Sequence, residues 1–133
     1  MKRLFTFFLF FLPICSFSQV QKEMNDGTQL EFVRANGKLE VLYQEIKQQY
    51  SKDKDFIEAL EHSASLFRQF RDAEVKLHYP AKDQKQEYGS INSYCINLLL
   101  TQLTLQRIKE LNVWLVGIQE GEACRGSIKM KKN

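Results

Sequence analysis

Residues 67–75 read FRQFRDAEV. Two phenylalanines flank an arginine, and a second arginine, an aspartate and a glutamate follow at once. Placed on a helical wheel, the segment extends a stripe that begins with Phe56, Leu60 and Ala64 and continues through Phe67 and Phe70. Arg71 and Glu74 fall on that same apolar face, while Asp72 points away. A charge set into a core stripe needs a partner, because a buried guanidinium must be met by carboxylate or carbonyl oxygens. Glu74 is the local candidate through its i,i+3 spacing. Glu40, Tyr43 and residues of a later helix are candidates across the fold. The stretch is therefore read as charge-paired fold specification on a helix running from about Phe56 to Leu77.

Working outward, Ser51 to Asp55 is a polar break with capping residues. Before it, Phe32, Ala35, Leu39, Leu42, Tyr43, Ile46 and Tyr50 recur at steps of three and four. This pattern predicts an amphipathic helix over 30–50, weakened by Asn36-Gly37 at about 1 kcal/mol. On the other side, His78-Tyr79-Pro80 stops the second helix, because proline cannot continue the backbone ladder. YPAKDQKQEYGS (79–90) reads as a polar loop with aromatic edges, and Ser90 or Asn92 as the cap of a third helix. That helix is predicted to reach Val116 and to stop at Gly117 or Gly121. It is apolar on two sides. Ile91, Leu98, Leu105 and Val116 mark one face, and Leu100, Leu103, Leu111 and Trp114 the other. Such a helix is either sandwiched or offers a face to a partner. No stretch alternates as a strand does. The expected fold is all-α, a small antiparallel three-helix bundle with a polar loop between the second and third helices.

The ends of the chain differ in kind. Lys2 and Arg3 precede an apolar run from Leu4 to Cys15 that contains Pro13, and Ser16-Phe17-Ser18 supplies small residues for cleavage before Gln19. This predicts a signal peptide over 1–18 and a periplasmic or secreted protein with no stable membrane anchor after cleavage. A lipoprotein at Cys15 is disfavoured, because Ile14 stands where a lipobox wants a small residue. The expected domain then covers 19–120, followed by a basic flexible tail over 121–133. Lys2 and Arg3 leave with the signal, so the 19 basic residues fall by two against 16 acidic ones, a net charge of about +1. That charge, with export, argues against nucleic-acid binding. Cys95 and Cys124 remain, and one pairing is open to them in an oxidising compartment. Bonded and free thiols are both compatible with the sequence.

Chemistry is sparse. Glu74 or Asp72 has the side chain of a general acid or base, but no second motif supports that role. His62 and His78 are isolated, no spacing suits a metal, and neither a Gly-rich phosphate loop nor a nucleophile elbow is present. The expectation is a non-catalytic protein without cofactor or metal.

Four pieces, in order and spacing, resemble the lysozyme inhibitor LprI N-terminal domain family of small exported bacterial domains. They are ANGKLEVLY (35–43), FRQFRDAE (67–74), GSI (89–91) and TLQRIKEL (104–111). Leu39 and Tyr43 match the first family motif, with Asn36 where Asp is usual and Glu40 where Asn is usual. Phe67, Phe70, Arg71, Asp72, Ala73 and Glu74 match the second, with Phe67 in place of Trp. Gly89 and Ser90 match the third, and Thr104, Arg107 and Leu111 the fourth. The family's two cysteines fall on Val75 and Leu99, so a helix–helix disulfide gives way to apolar residues. The resemblance implies a protein partner, lysozyme, outside the inner membrane. Tyr79, Asp83, Glu87 and Tyr88 on the loop are the expected contact residues. The competing expectation is an envelope-associated interaction module or homodimer using the Leu100, Leu103, Leu111 and Trp114 face.

Overall fold

The computed structural model describes residues 14–121 and 124–131, with side chains from residue 18 onward. Five helices follow one another: α1 (Ile14–Gln49), α2 (Lys54–His78), α3 (Gln84–Tyr88), α4 (Asn92–Leu111) and α5 (Val113–Val116). Among the described residues the only extended pairing is an isolated parallel bridge between Ile118 and Met130. The fold is all-α, as the periodicity predicts, with three long helices and two short ones. Most of the expected signal peptide lies outside the described residues, and Ile14 to Ser18 open α1.

Cross-helix contacts fix the directions. Lys47 meets Glu61 at 2.6 Å and Glu40 meets Arg68 at 3.8 Å, so α2 runs antiparallel to α1. Ser90 donates to Gln21 at 2.8 Å, and Gln49 donates to the Trp114 carbonyl at 3.1 Å, so α1 and α4 rise together. These two pack most closely, and α2 reaches them through longer side chains. Between α1 and α2 a cavity of 330 Å³ remains, floored by Tyr43, Leu60 and Ala64 and crossed by the two ion pairs. The core holds Leu39, Leu42, Tyr43, Ile46 and Tyr50 from α1, Leu60 and Ala64 from α2, and Leu111 from α4.

Local chemistry sets the helix ends. Asp53 caps α2 by accepting from the Phe56 amide at 3.0 Å, and the Tyr79 amide closes the helix on the Val75 carbonyl before Pro80. Asp83 caps α3 in the same way through Gln86, which places a helical turn in the segment expected to be a loop. Four expectations need correction. The first helix begins at Ile14, not near Leu30. Residues 18–29 carry almost no buried stripe, only Thr28, whose hydroxyl is satisfied by the carbonyls of Met24 and Asn25. Neither Ser90 nor Asn92 caps α4: Ile91 holds that position without a side-chain bond, because Ser90 is turned to Gln21 and Asn92 to Gln84. The third helix is interrupted at Asn112, with Gly117 ending the second piece at φ +79° as a C-terminal glycine does.

The fourth correction concerns the face proposed for a partner. Leu111 is 3% exposed and in the core. Trp114 packs edge-on to Tyr50 at 5.9 Å and against Phe56 at 4.9 Å, while Leu100 and Leu103 are half-buried. The sandwiched alternative describes this face. The opposite side is the open one, with Ile91, Leu98, Leu105 and Val116 all 40% exposed or more.

Residues 128–131, within the 121–133 segment expected to be a flexible tail, touch the body. The Lys129 amide donates to the Tyr50 hydroxyl at 3.0 Å, and Ile118 exchanges backbone bonds with Lys129 and Lys131. A Cβ on Gly117 would lie 2.7 Å from the Lys129 carbonyl oxygen, whereas one on Gly37, mid-helix in α1, would meet nothing within 4 Å. Two glycine-to-alanine changes should therefore move stability in opposite directions. Gly37→Ala should stabilise by about 1 kcal/mol through helix propensity. Gly117→Ala should destabilise by about 2 kcal/mol or more through its left-handed backbone and the collision. Thermal unfolding followed by circular dichroism gives both signs.

Candidate functional site

The residues that carry the family resemblance converge on one buried junction. Arg71, on α2, is 8% exposed. Its Nη1 donates to Asn36 Oδ1 on α1 and to Thr104 Oγ1 on α4, both at 2.9 Å. Thr104, fully buried, passes its own proton to the Leu100 carbonyl at 2.7 Å. The guanidinium also lies over two rings, 5.5 Å from the Phe32 centroid and 5.2 Å from that of Phe67. One turn away, Arg107 repeats the pattern from α4. It lies 5.5 Å over Phe67, donates to Ser63 at 2.7 Å and to the Tyr43 hydroxyl at 3.3 Å, and faces Glu110 at 3.7 Å. Phe67 is thus shared by two guanidiniums from different helices, each gaining an aromatic contact as it leaves water.

The sequence reading is right that Arg71 enters the core and that the third long helix supplies a partner. It misassigns the others. Glu74 sits at the edge and faces His78 at 3.9 Å, Glu40 goes to Arg68, and Tyr43 goes to Arg107. Asp72 is exposed. Arg71 is therefore held by neutral oxygens, and its Nε has no hydrogen-bond partner. Burial pulls the guanidinium below its usual pKa range, opposed by the neighbouring Asp72 carboxylate. Asn36, Phe32 and Ser63 were not singled out as site residues. Asn36 carried a usable signal, since it stands at a position where an aspartate would be the natural counter-ion.

The expected contact residues lie at the opposite end of α2 from its Asp53 cap. Tyr79 and Tyr88 meet edge to face at 5.3 Å and bracket α3. The Tyr88 hydroxyl accepts from the Ala81 amide at 3.2 Å, and Gln84 donates to the Tyr79 carbonyl at 3.1 Å. Asn92 donates to Gln84 at 3.2 Å, tying the loop to α4. Asp83 and Glu87 are exposed, as are Gly89 and Ser90. Gly89 turns the chain at φ +74°. Burial, and after it the nearby Cys95 thiol, pushes the Tyr79 phenol above its ordinary pKa. The structure brings Tyr79 and Tyr88 together and leaves Trp114 at the other end of the bundle.

Cys95 and Cys124 are both free thiols. Cys95 stands in the first turn of α4, and the tail carrying Cys124 is anchored beyond the last turn. Cys95 to Leu111 alone spans about 24 Å of helix, far more than a disulfide bridges. Val75 and Leu99, at the family's cysteine positions, are both half-buried. Among the described residues no group of three or more His, Cys, Asp or Glu gathers as a metal site, and no helix is long and apolar enough to cross a membrane.

Removing the buried charge should be costly. Arg71→Ala should destabilise by about 3 kcal/mol, because it strips three helices of a shared donor and leaves Asn36 unpaired. Asn36→Asp should stabilise by about 1 kcal/mol at neutral pH by making one bond charge-assisted. Its carboxylate would be held below the unfolded value, so the gain is present above that value and disappears as pH falls below about 4. Denaturant unfolding at pH 7 and pH 3.5 tests both signs.

No curated protein and no solved structure matches the chain significantly. The family model for lysozyme inhibitor LprI matches residues 15–111, a span that contains the Arg71 junction, the Tyr79–Tyr88 loop and all of α4. The chain belongs to the LprI lysozyme inhibitor family.

Proposed function

We propose that the chain is exported, loses residues 1–18, and acts outside the inner membrane as a non-catalytic protein that binds and inhibits lysozyme. Family membership over most of the chain carries this reading. The geometry supports it in one specific way. The motif residues Leu39, Tyr43, Phe67, Arg71, Thr104 and Leu111 are engaged inside the bundle. Asp83 and Glu87 are exposed and Tyr79 and Tyr88 half-buried on a framework stiffened by Asp83, Gln84 and Asn92. A rigid aromatic-edged knob can enter a cleft with little ordering penalty. Its charges, Lys82, Asp83, Lys85 and Glu87, balance, so recognition rests on contact and not on long-range steering.

Residues 19–133 titrated against animal-type lysozyme should slow cell-wall lysis saturably at micromolar concentration or below. Changing Tyr79 and Tyr88 together to Ala should weaken inhibition at least about tenfold, as loss of aromatic anchors does, while the helical dichroism stays intact. The same inhibition without the two tyrosines would move the contact site elsewhere. No inhibition by the unaltered chain at high micromolar concentration would remove lysozyme as the partner.

A further inference from the structure

The chain returns to the far end of the bundle in the manner of a docked peptide. Ile118 donates to the Lys129 carbonyl at 3.1 Å, and Lys131 donates to the Ile118 carbonyl at 2.9 Å. The Lys129 amide donates to the Tyr50 hydroxyl. The Lys129 ammonium lies 4.3 Å over the Tyr50 ring and donates to the Gln49 carbonyl in the last turn of α1. Gly117 makes the approach possible, since any Cβ there would strike the backbone of Lys129 to Lys131. Backbone pairing to an edge and one selective side-chain seat are the elements by which receptors hold extended peptides.

The seat suits a lysine. A π face and the negative end of a long helix both attract a cation. Phe56 and Trp114 pack behind Tyr50 and hold the ring still. Beside it, sharing Gln49, lies an open cavity of 490 Å³ lined by Glu45, Gln48 and Leu115, with room for a longer ligand and a carboxylate for a second cation. Among the described residues of the strap before Ile128, Arg125 and Ile128 bond each other, and Gly121, Cys124 and Gly126 all take positive φ.

We propose that the Gln49–Tyr50 seat is a binding site for an extended, lysine-bearing segment of a partner protein, and that residues 128–131 are its internal occupant. This site is separate from the Tyr79–Tyr88 loop and does not depend on its role. A partner is favoured over a second copy. Residues 119–127 are long enough to seat the chain's own tail, and tethering gives that tail an effective concentration that a free identical tail cannot match. A partner that also fills the Glu45 cavity gains contacts that the tail lacks.

The test uses the full chain and a labelled peptide of residues 127–131, SIKMK, followed by fluorescence anisotropy. Lys129→Ala should empty the seat and bind the peptide at least about tenfold more tightly than the unaltered chain, in which the tail competes. Norleucine at the peptide's first lysine should lose that gain. Lys129→Met, which keeps the aliphatic stem on Tyr50 and so the packing at this end, should bind the peptide more tightly as Lys129→Ala does. The proposal is overturned if neither variant binds the peptide more tightly than the unaltered chain, or if norleucine binds as well as lysine. It is also overturned if light scattering shows the unaltered chain exchanging tails as a dimer.

Discussion

Three long helices meet at one guanidinium. Arg71 reaches from α2 to Asn36 on α1 and Thr104 on α4, and Arg107 forms a second such junction from α4 to Tyr43 on α1 and Ser63 on α2. The arrangement fixes register along all three axes, because a shift of one residue in any helix would carry a donor or acceptor to another face. It is not an energetic bargain in isolation. The partners are neutral, Nε is unpartnered, and burial works against the charge. Its value is geometric: apolar stripes of α1 and α2 slide past one another at little penalty, and a fork with defined donor positions does not. Phe67 extends the constraint by taking Arg107 on the same ring, so that the two arginines stand in fixed relation.

This junction explains the uneven packing around it. α1 and α4 come close, with Ala35 and Leu39 of α1 and Thr104 of α4 all buried. α2 is held off by Phe67 and the two guanidiniums. The space this leaves toward α1 is the groove over Leu60 and Ala64, bridged at its rim by Lys47–Glu61 and Glu40–Arg68. Exposed pairs of that kind contribute at most about 1 kcal/mol each. They mark the antiparallel register without determining it.

What could be read from the residues follows from which contacts are periodic. The stripe from Phe56 to Phe67, the core of α1 and the stop at Pro80 are local patterns, and the intrusion of Arg71 into a stripe is visible on a wheel. Its partner was not, because charge matching favours the carboxylates of Glu74 and Glu40, whereas geometry selects Asn36 and Thr104. Helix α4 shows a second limit. With apolar residues on two faces, periodicity cannot choose the inward one. Tyr50, just past the end of α1, and Phe56 on α2 receive Trp114 and make the choice, and neither belongs to α4. The first turns of α1 and the return of the tail left no pattern at all. The former are mostly exposed, and the latter is held by backbone groups and a single ammonium.

The distribution of these residues separates fold from recognition. The positions that make the chain resemble its family are mainly the ones engaged inside the bundle, so the resemblance speaks first for the helical framework. Recognition must come from what the framework presents. It presents two aromatic ends, Tyr79 with Tyr88 at one and Tyr50 with Trp114 at the other, separated by the length of α4, about 30 Å. The stiff pairing of α1 with α4 holds them apart. On the two readings proposed above, each end selects by fit, the loop as a knob entering a cleft and the tail end as a seat receiving a chain. Those two modes use opposite surface curvature and opposite ends of the bundle, so the proposed sites would not compete for one surface.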